Sequence, residues 1–182
     1  MRLFVSVDLS DLAEGISDVQ ALFGEPSGLR FTDPEQAHVT LKFLGDTDPA
    51  DLTALREALT AAVEAADVGP FEARIAGLGV FPSREYINVV WLGVEADGAM
   101  VRLHNPIEAR TTDLGFDPTD HDFTPHTTIA RMDHAGGKER VQRVLEEHDP
   151  VVGTTRIDAV HLMESTLTDD GPEYETVDRI PV

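Results

Sequence analysis

The feature that most restricts the fold of this chain is an order of predicted elements that occurs twice. A strand, a helix, a strand, a turn and another strand are predicted over about residues 38–94 and again over about 126–182. Each copy opens on a histidine, His38 or His126, and the two lie 88 residues apart. Two copies of one unit usually pack around an approximate two-fold axis, so we expect equivalent positions to face each other across one groove. No linker-like stretch separates the copies, and we therefore predict one bilobal domain over residues 1–182.

Hydrophobic periodicity and turn residues predict the individual elements. Residues 2–8 alternate as a strand does, whereas the Ala- and Leu-rich residues 50–66 repeat at helical spacing. Pro82 and Ser83 mark the turn of a hairpin. The other predicted elements are helices over about 11–23, 97–112 and 137–148, and strands over about 37–44, 71–80, 85–94, 126–132, 154–164 and 173–180.

The tyrosines repeat with the same period as the histidines. Tyr86 and Tyr174 are the only tyrosines in the chain, and each lies 48 residues after the histidine that opens its copy. Either these two side chains occupy equivalent places in the two halves, or the match arises by chance, since the halves share little other identity.

The chain is strongly acidic, with 34 Asp and Glu against 14 Lys and Arg and a formal net charge of -20 at pH 7. No basic stripe exists to displace counterions from many phosphates, which argues against binding along long nucleic acids but leaves room for one local phosphate pocket. The simplest interpretation is a solvated acidic surface without a specific partner. The spread of the acidic residues also suits molar salt, where the Debye length is roughly 3 Å, and predicts a halophilic protein.

The absence of cysteine excludes disulfides, thiolate metal sites and cysteine nucleophiles, and fits a reducing compartment. Residues 1–9 alternate and carry Asp8 where a signal peptide would need an apolar run. No stretch approaches the roughly 18 apolar residues of a membrane-spanning helix. We therefore expect a cytoplasmic protein without a membrane partner.

One short motif, His-x-Thr followed by Leu or Ile, stands at the start of the first strand of each copy. It comprises His38 and Thr40 in the first copy and His126 and Thr128 in the second, and the other histidines lack it. Side chains alternate along a strand, so each histidine shares a face with its threonine, roughly 6 to 7 Å away.

Two imidazoles that meet across a groove can act as a general base and a general acid. Their ordinary pKa near 6.5 allows one ring to be neutral while the other is protonated. Two threonine hydroxyls between them can donate hydrogen bonds to the oxygens of an anion. A single histidine of this kind is usually a hydrogen-bonded, partly buried side chain, but a pair at equivalent positions of a duplication favours catalysis.

Several further segments combine with the two motifs into a known pattern. They are Arg2-Leu3-Phe4, Lys42-Phe43-Leu44-Gly45, Gly77-Leu78-Gly79-Val80-Phe81-Pro82, Pro125, Ala130-Arg131, Glu164-Ser165 and Gly171-Pro172. Together they resemble the two-histidine phosphoesterases, and most of all the RNA 2′,3′-cyclic phosphodiesterases, also called 2′-5′ RNA ligase-like proteins. The resemblance covers nearly the whole chain in order.

The resemblance implies an α+β fold in which two antiparallel sheets face each other across a central groove, with helices on the outside. It implies metal-free hydrolysis of the 2′,3′-cyclic phosphate at an RNA end to a 2′-phosphate. We also expect a monomer that uses no cofactor. By motif position, His126 would be the proton acceptor that activates water and His38 the proton donor to the departing 3′-oxygen. Thr40 and Thr128 would hold the non-bridging oxygens.

Three other residues are candidates for substrate binding. Alternation places Arg131 on the face opposite the second motif, so a phosphate contact there requires a β-bulge, and a structural ion pair is the alternative. Lys42 shares the face of the first motif and would contact phosphate or backbone, unless it is simply solvated. Phe123, in the loop before the second motif, is a candidate for stacking on a base, whereas Phe43 is predicted to lie in the core.

Other functions remain open at this level. A related enzyme would act on 2′-5′ linkages, as ligase or phosphodiesterase, or on an ADP-ribose cyclic phosphate. A metal-dependent hydrolase would find ligands such as His121 and Asp122, although no His-Glu-x-x-His spacing occurs. A nucleotide-binding module that has lost turnover is the third alternative, but both histidines and both threonines are present.

Overall fold

The computed structural model describes all 182 residues as two antiparallel β-sheets with helices packed against them. The strands are β1 (Arg2–Asp8), β2 (Leu29–Phe31), β3 (His38–Asp46), β4 (Phe71–Pro82), β5 (Ile87–Glu95), β6 (His126–Met132), β7 (Val151–Ile157), β8 (Ala159–Thr168) and β9 (Gly171–Pro181). The helices are α1 (Ala13–Ala21), α2 (Leu52–Ala66), α3 (Ala99–Asp113) and α4 (Lys138–Glu147).

The two sheets differ in size, and each has its own helices. The four-stranded sheet has the order β3-β1-β8-β9, and α2 and α3 pack on it. The five-stranded sheet has the order β2-β6-β5-β4-β7, and α1 packs on it. The predicted α+β fold with two antiparallel sheets is confirmed. The longest helices, α2 and α3, have 15 residues each, and no helix is long and apolar enough to cross a membrane.

The two halves of the chain exchange their histidine strands. β3 belongs to the first half by sequence, yet it lies in the sheet that contains the β8–β9 hairpin of the second half. β6 belongs to the second half and pairs with β5, next to β4, of the first half. As a result β6 pairs with β5 of the first half, whereas β3 pairs with β1 and shares its sheet with β8 and β9 of the second half. A single cluster of 33 buried hydrophobic residues draws on both sheets.

Strand β1 is central to the four-stranded sheet, and its sequence reflects burial on both faces. All five interior residues, Leu3 to Val7, are buried. A strand that is covered on both faces has a nearly continuous apolar sequence. The exception is Ser6, which pairs with Thr40 of β3 on one side and with His161 of β8 on the other.

The same irregularity interrupts both histidine strands, three residues after the histidine. In the pairing of β1 with β3, Ser6 lies opposite Thr40 but Val5 lies opposite Lys42, so the register passes over Leu41. One extra residue in a strand reverses the faces of the residues that follow it. Lys42 therefore turns to the buried side and Phe43 to the side of Thr40.

The second bulge has the same effect on β6. Trp91 of β5 lies opposite Thr128, and Val90 lies opposite Ala130, so the register passes over Ile129. Arg131 thereby reaches the face of the second motif. Strand alternation alone would point it to the opposite face, so a contact with phosphate requires this bulge. The alternation-based predictions for the first motif are wrong beyond Leu41, because they assumed an unbroken strand.

Three further predictions need correction. The predicted strand over 154–164 divides at Asp158 into β7 and β8, which lie in different sheets. Strand β2 falls in a segment predicted to be a connection. The two tyrosines are not equivalent, because Tyr86 is 67% exposed in the β4–β5 turn whereas the ring of Tyr174 packs against His38.

The bulge turns Lys42 into a buried structural cation. Its side chain is 1% exposed, and Nζ lies 2.9 Å from Glu108 Oε2 on α3 and donates to the carbonyl of Asp117 at 2.6 Å. Glu108 also accepts from the amide and the hydroxyl of Thr119. Burial opposes ionisation of Glu108, but the hydrogen bonds from Thr119 and Lys42 outweigh it and lower the pKa of the carboxyl. This network fixes the loop that precedes β6.

We expect Lys42→Met to reduce the free energy of unfolding by roughly 2 kcal/mol or more, because it leaves a partly buried carboxylate without its cation. Urea unfolding monitored by circular dichroism measures the change. Lys138→Met is the matched control, since Lys138 is only partly buried, forms no ion pair and donates only to the carbonyl of Glu85. Equal stability of the two variants would contradict the structural role of Lys42.

Candidate active site

The two His-x-Thr motifs meet across the groove between the sheets. β3 and β6 lie in different sheets, yet Cα atoms of the two strands approach within 8 Å. The charge of a protonated His126 would lower the pKa of His38, which places the two rings in one electrostatic environment. Both imidazoles are partly exposed. The residues predicted from the motif are therefore brought together as expected.

The two imidazoles are oriented by the same local hydrogen bond. Nδ1 of His38 lies 2.8 Å from the carbonyl oxygen of Gln36, and Nδ1 of His126 lies 2.6 Å from the carbonyl oxygen of Thr124. A carbonyl can only accept, so Nδ1 carries the hydrogen in both rings. In the neutral form, Nε2 then has a free lone pair. Nε2 is thus the proton-transferring atom of each histidine.

Thr40 and Thr128 stand beside the two rings with free hydroxyls. Both side chains are partly exposed, and neither hydroxyl has a hydrogen-bond partner within the chain. Each shares the strand face of its histidine, because the bulge comes only after the threonine. Two donors next to two proton-transferring nitrogens form a site that can hold an oxyanion.

Each imidazole packs against a pair of aromatic rings that also contact each other. His38 contacts Tyr174 edge-on at a ring-centroid distance of 5.2 Å and Phe4 at 5.1 Å. His126 contacts Phe81 edge-on at 5.0 Å and Trp91 at 5.8 Å. The two motifs do not reveal these four rings. Each pair covers one side of its imidazole and helps to fix the orientation of the ring.

Trp91 reaches His126 only because a glycine lies beneath it. A Cβ on Gly79 would stand 2.2 Å from Cζ2 of the indole, so any other residue at this position would displace the ring. The indole Nε1 is the one buried side-chain polar atom without a hydrogen-bond partner. The Gly79–Trp91 pair of the β4–β5 hairpin therefore fixes one wall of the second imidazole.

Arg131 supplies the positive charge of the groove. It is exposed and forms no ion pair with any carboxylate of the chain, which argues against the structural alternative. Its charge lowers the pKa of His38, of His126 and of the Tyr174 phenol, so the guanidinium lies near all three. A free guanidinium beside two hydroxyl donors is suited to a phosphate.

The other two candidate substrate ligands lie elsewhere. Lys42 is buried against Glu108 and does not reach the groove, for the reason given above. The ring of Phe123 stacks on His104 at 4.2 Å and 7°, and His104 is itself buried and bonded through Nδ1 to the carbonyl of Leu41. One face of Phe123 is therefore occupied by packing, and its stacking on a base stays a prediction.

The electrostatic surroundings make both histidines weak bases in the free protein. Burial lowers the pKa of His38, against the opposing effects of the Gln36 carbonyl and the Asp8 carboxylate. Burial also lowers the pKa of His126, against the effect of the Thr124 carbonyl. Both rings are consequently neutral near pH 7. An anion bound between them would favour protonation of one ring.

Asp8 is the acidic residue of the site that the motif does not reveal. It lies opposite His38 in the β1–β3 register, and its carboxylate accepts from the amide and the hydroxyl of Ser10. Together with Phe4, Ser6, His161 and other groove residues it lines a cavity of about 200 Å³ that extends from His38 along the four-stranded sheet. Only the strand register, which is set over long range, brings Asp8 to this place.

The chain resembles known proteins over nearly its whole length. The profile of the 2′-5′ RNA ligase superfamily matches residues 10–169. The RNA 2′,3′-cyclic phosphodiesterase of Methanothermobacter thermautotrophicus is 34% identical over 96% of this chain and 95% of its own length. The protein of that name from Methanocaldococcus jannaschii is 30% identical over 97% of this chain and 98% of its own.

Solved structures share the fold. The crystal structure of a Thermus thermophilus protein, TT0787, superimposes with a TM-score of 0.82 at 26% identity and covers 100% of this chain and 97% of its own. The structure of Escherichia coli LigT complexed with 3′-AMP gives a TM-score of 0.80 at 21% identity, with 100% and 97% coverage. The agreement extends to the whole two-sheet architecture.

We expect Asp8→Asn to lower the pKa of His38 further, because it removes the carboxylate that stabilises the imidazolium while keeping a side chain that can accept from Ser10. The pKa of His126 should stay where it is, since Asp8 is not among the groups that act on it. NMR titration of the histidine ring protons measures both values in one sample. A shift of His126 alone, or of neither ring, would contradict this assignment.

Proposed function

The chain belongs to the 2′-5′ RNA ligase superfamily of two-histidine phosphoesterases, and on that premise we propose that it hydrolyses the 2′,3′-cyclic phosphate at an RNA end to a 2′-phosphate. The observation that carries the proposal is the pair of imidazoles whose Nδ1 atoms are both fixed on carbonyls, leaving both Nε2 atoms for proton transfer in one groove. The relatives at 30% identity and above that match nearly the full chain bear the name of this activity.

In this mechanism the two histidines work on opposite sides of the phosphorus. Nε2 of neutral His126 accepts a proton from water as the water oxygen bonds to phosphorus. Nε2–H of protonated His38 donates its proton to the 3′-oxygen as the bond from phosphorus to that oxygen breaks. His126 ends protonated and His38 neutral, and exchange with solvent restores both. General acid and base catalysis of this kind contributes about 10²- to 10⁴-fold each.

The negative charge of the reacting phosphate is met by neutral donors and one cation. Thr40 and Thr128 donate to its non-bridging oxygens, and Arg131 stabilises the charge that grows as water attacks. An acid, a base, two donors and a cation are then all side chains of the protein, so the proposed reaction needs no metal ion or other cofactor. The bound phosphate also stabilises the imidazolium form of His38, which is disfavoured in the free groove.

We further propose that the enzyme acts as a monomer in a halophilic cytoplasm. The groove is complete within one chain, since both motifs and Arg131 come from the same polypeptide. A cysteine-free chain suits a reducing compartment where RNA is processed. Salt at molar concentration would screen the net charge of -20 from the RNA backbone, which otherwise repels it.

We expect His38→Ala and His126→Ala each to reduce kcat by at least about 100-fold on an oligonucleotide that ends in a 2′,3′-cyclic phosphate. The assay contains EDTA and separates 2′-phosphate from 3′-phosphate products by chromatography. His148→Ala is the matched control, because His148 is exposed at the end of α4 and outside both motifs. Loss of wild-type activity in EDTA and its return with a divalent ion would favour a metal-dependent hydrolase. Accumulation of 2′-5′ joined product would favour ligation.

We expect the thermal midpoint of unfolding to rise steadily as KCl increases from about 0.1 M to 3 M, because added salt screens repulsion among the surface carboxylates. Differential scanning fluorimetry in a KCl series measures this dependence. The same series in sucrose is the control for effects on hydration that are not electrostatic. Full stability and activity in dilute buffer would contradict the halophilic assignment.

A further inference from the structure

We propose that Phe43 is the platform on which the base of the terminal nucleotide stacks, and that the enzyme thereby recognises a nucleoside of any base. The inference rests on the proposed function and deepens it, because it assigns the side of the groove that receives the nucleoside. Sequence alternation assigns Phe43 to the core, and the bulge at Leu41 places it instead on the face of His38 and Thr40.

The position of Phe43 is equivalent to that of Arg131. Each residue lies five positions after the motif histidine and directly after a bulge and one buried residue. The two copies thus present, at matching places on their groove faces, one aromatic ring and one guanidinium. A nucleotide offers the two complementary groups, a flat base and an anionic phosphate.

Phe43 is unusually exposed for such a large apolar side chain. It is 68% exposed on β3, an edge strand of the four-stranded sheet. Among the aromatic side chains of the protein only Phe43 and Tyr86 are exposed, and Tyr86 lies in the β4–β5 turn, outside the groove face. The other rings of the groove are packed against the imidazoles. Phe43 is therefore the most exposed aromatic side chain on the groove face, and its ring is open to a base.

The distances suit a nucleotide whose phosphate lies between the histidines. The ring of Phe43 is 6.3 Å from that of Phe4, which in turn is 5.1 Å from the imidazole of His38. Phe43 is thus separated from His38, the proton donor, by one intervening ring. In the same way, the base of a nucleotide is separated from its phosphate by the ribose. Phe4 itself is 4% exposed and forms the floor on which Phe43 rests.

The chemistry of the reaction selects the same side. His38 is the proton donor to the departing 3′-oxygen, so the ribose that carries this oxygen lies on the side of His38 rather than on that of His126, where the water enters. The base follows the ribose toward β1 and β3.

Stacking also fits the charge of the protein. Affinity that comes from phosphate contacts falls steeply as salt rises, and a chain with net charge -20 has few cations to offer. A base stacked on an aromatic ring gains affinity of a kind that salt does not screen, and every base has a flat face. Recognition by Phe43 would thus be strong in high salt and tolerant of sequence.

The test compares Phe43→Ala with Tyr86→Ala on two substrates. One is a dinucleotide that ends in a 2′,3′-cyclic phosphate, and the other is the same molecule with an abasic terminal ribose. We expect Phe43→Ala to lower kcat/KM about tenfold or more on the first substrate and to leave it unchanged on the second. Phe43→Trp should retain activity on both, and Tyr86→Ala should match wild type, although it removes an equally exposed ring.

The outcomes of this test separate the inference from the proposed function. An equal loss on both substrates would overturn stacking, because it would show that Phe43 supports the site as a whole. No loss on either substrate would overturn it as well. Failure of the wild-type protein to cleave either substrate would overturn the proposed function, and the inference with it. Urea unfolding of both alanine variants confirms that the compared proteins are folded.

Discussion

The active site depends on a β-bulge placed three residues after each motif histidine. Up to the bulge, alternation keeps His38 with Thr40, and His126 with Thr128, on the groove side. Beyond it the faces reverse, so that a residue which would point into the core points into the groove. Without the reversal, Arg131 would face away from the phosphate site. Lys42 would place a charged amine in the groove, and Glu108 would lose its cation.

The exchange of strands between the halves explains why neither half can form a site alone. Each imidazole is held on its Nδ1 side by its own chain segment, through a carbonyl two residues earlier, and on its ring faces by aromatic residues from elsewhere. Tyr174 comes from the second half to His38, and Trp91 comes from the first half to His126. The geometry of proton transfer is therefore a property of the whole molecule.

The packing around both imidazoles also lowers their pKa values. Burial disfavours imidazolium at both positions, and Arg131 adds to the effect. A phosphate reverses it, because its negative charge compensates the guanidinium and one imidazolium together. The proposed reaction needs one protonated and one neutral imidazole, and the site reaches this state only when its substrate is bound. Asp8 favours His38 as the ring that is protonated.

The two-sheet α+β class was implied by the family resemblance, whereas periodicity and a repeated motif were enough to predict most helices and strands and to single out the four motif residues. These depend on local spacing, which strand and helix geometry convert directly into a common face. The faces of Lys42 and Phe43 were predicted wrongly, because a bulge leaves no mark in the spacing of residues. Asp8 and Trp91 were missed since their neighbours are set by pairing between strands far apart in sequence. The sequence by itself therefore determined which groups can perform the chemistry, whereas the tertiary structure decided which of them share the groove, because register and strand exchange are settled only when both sheets pack.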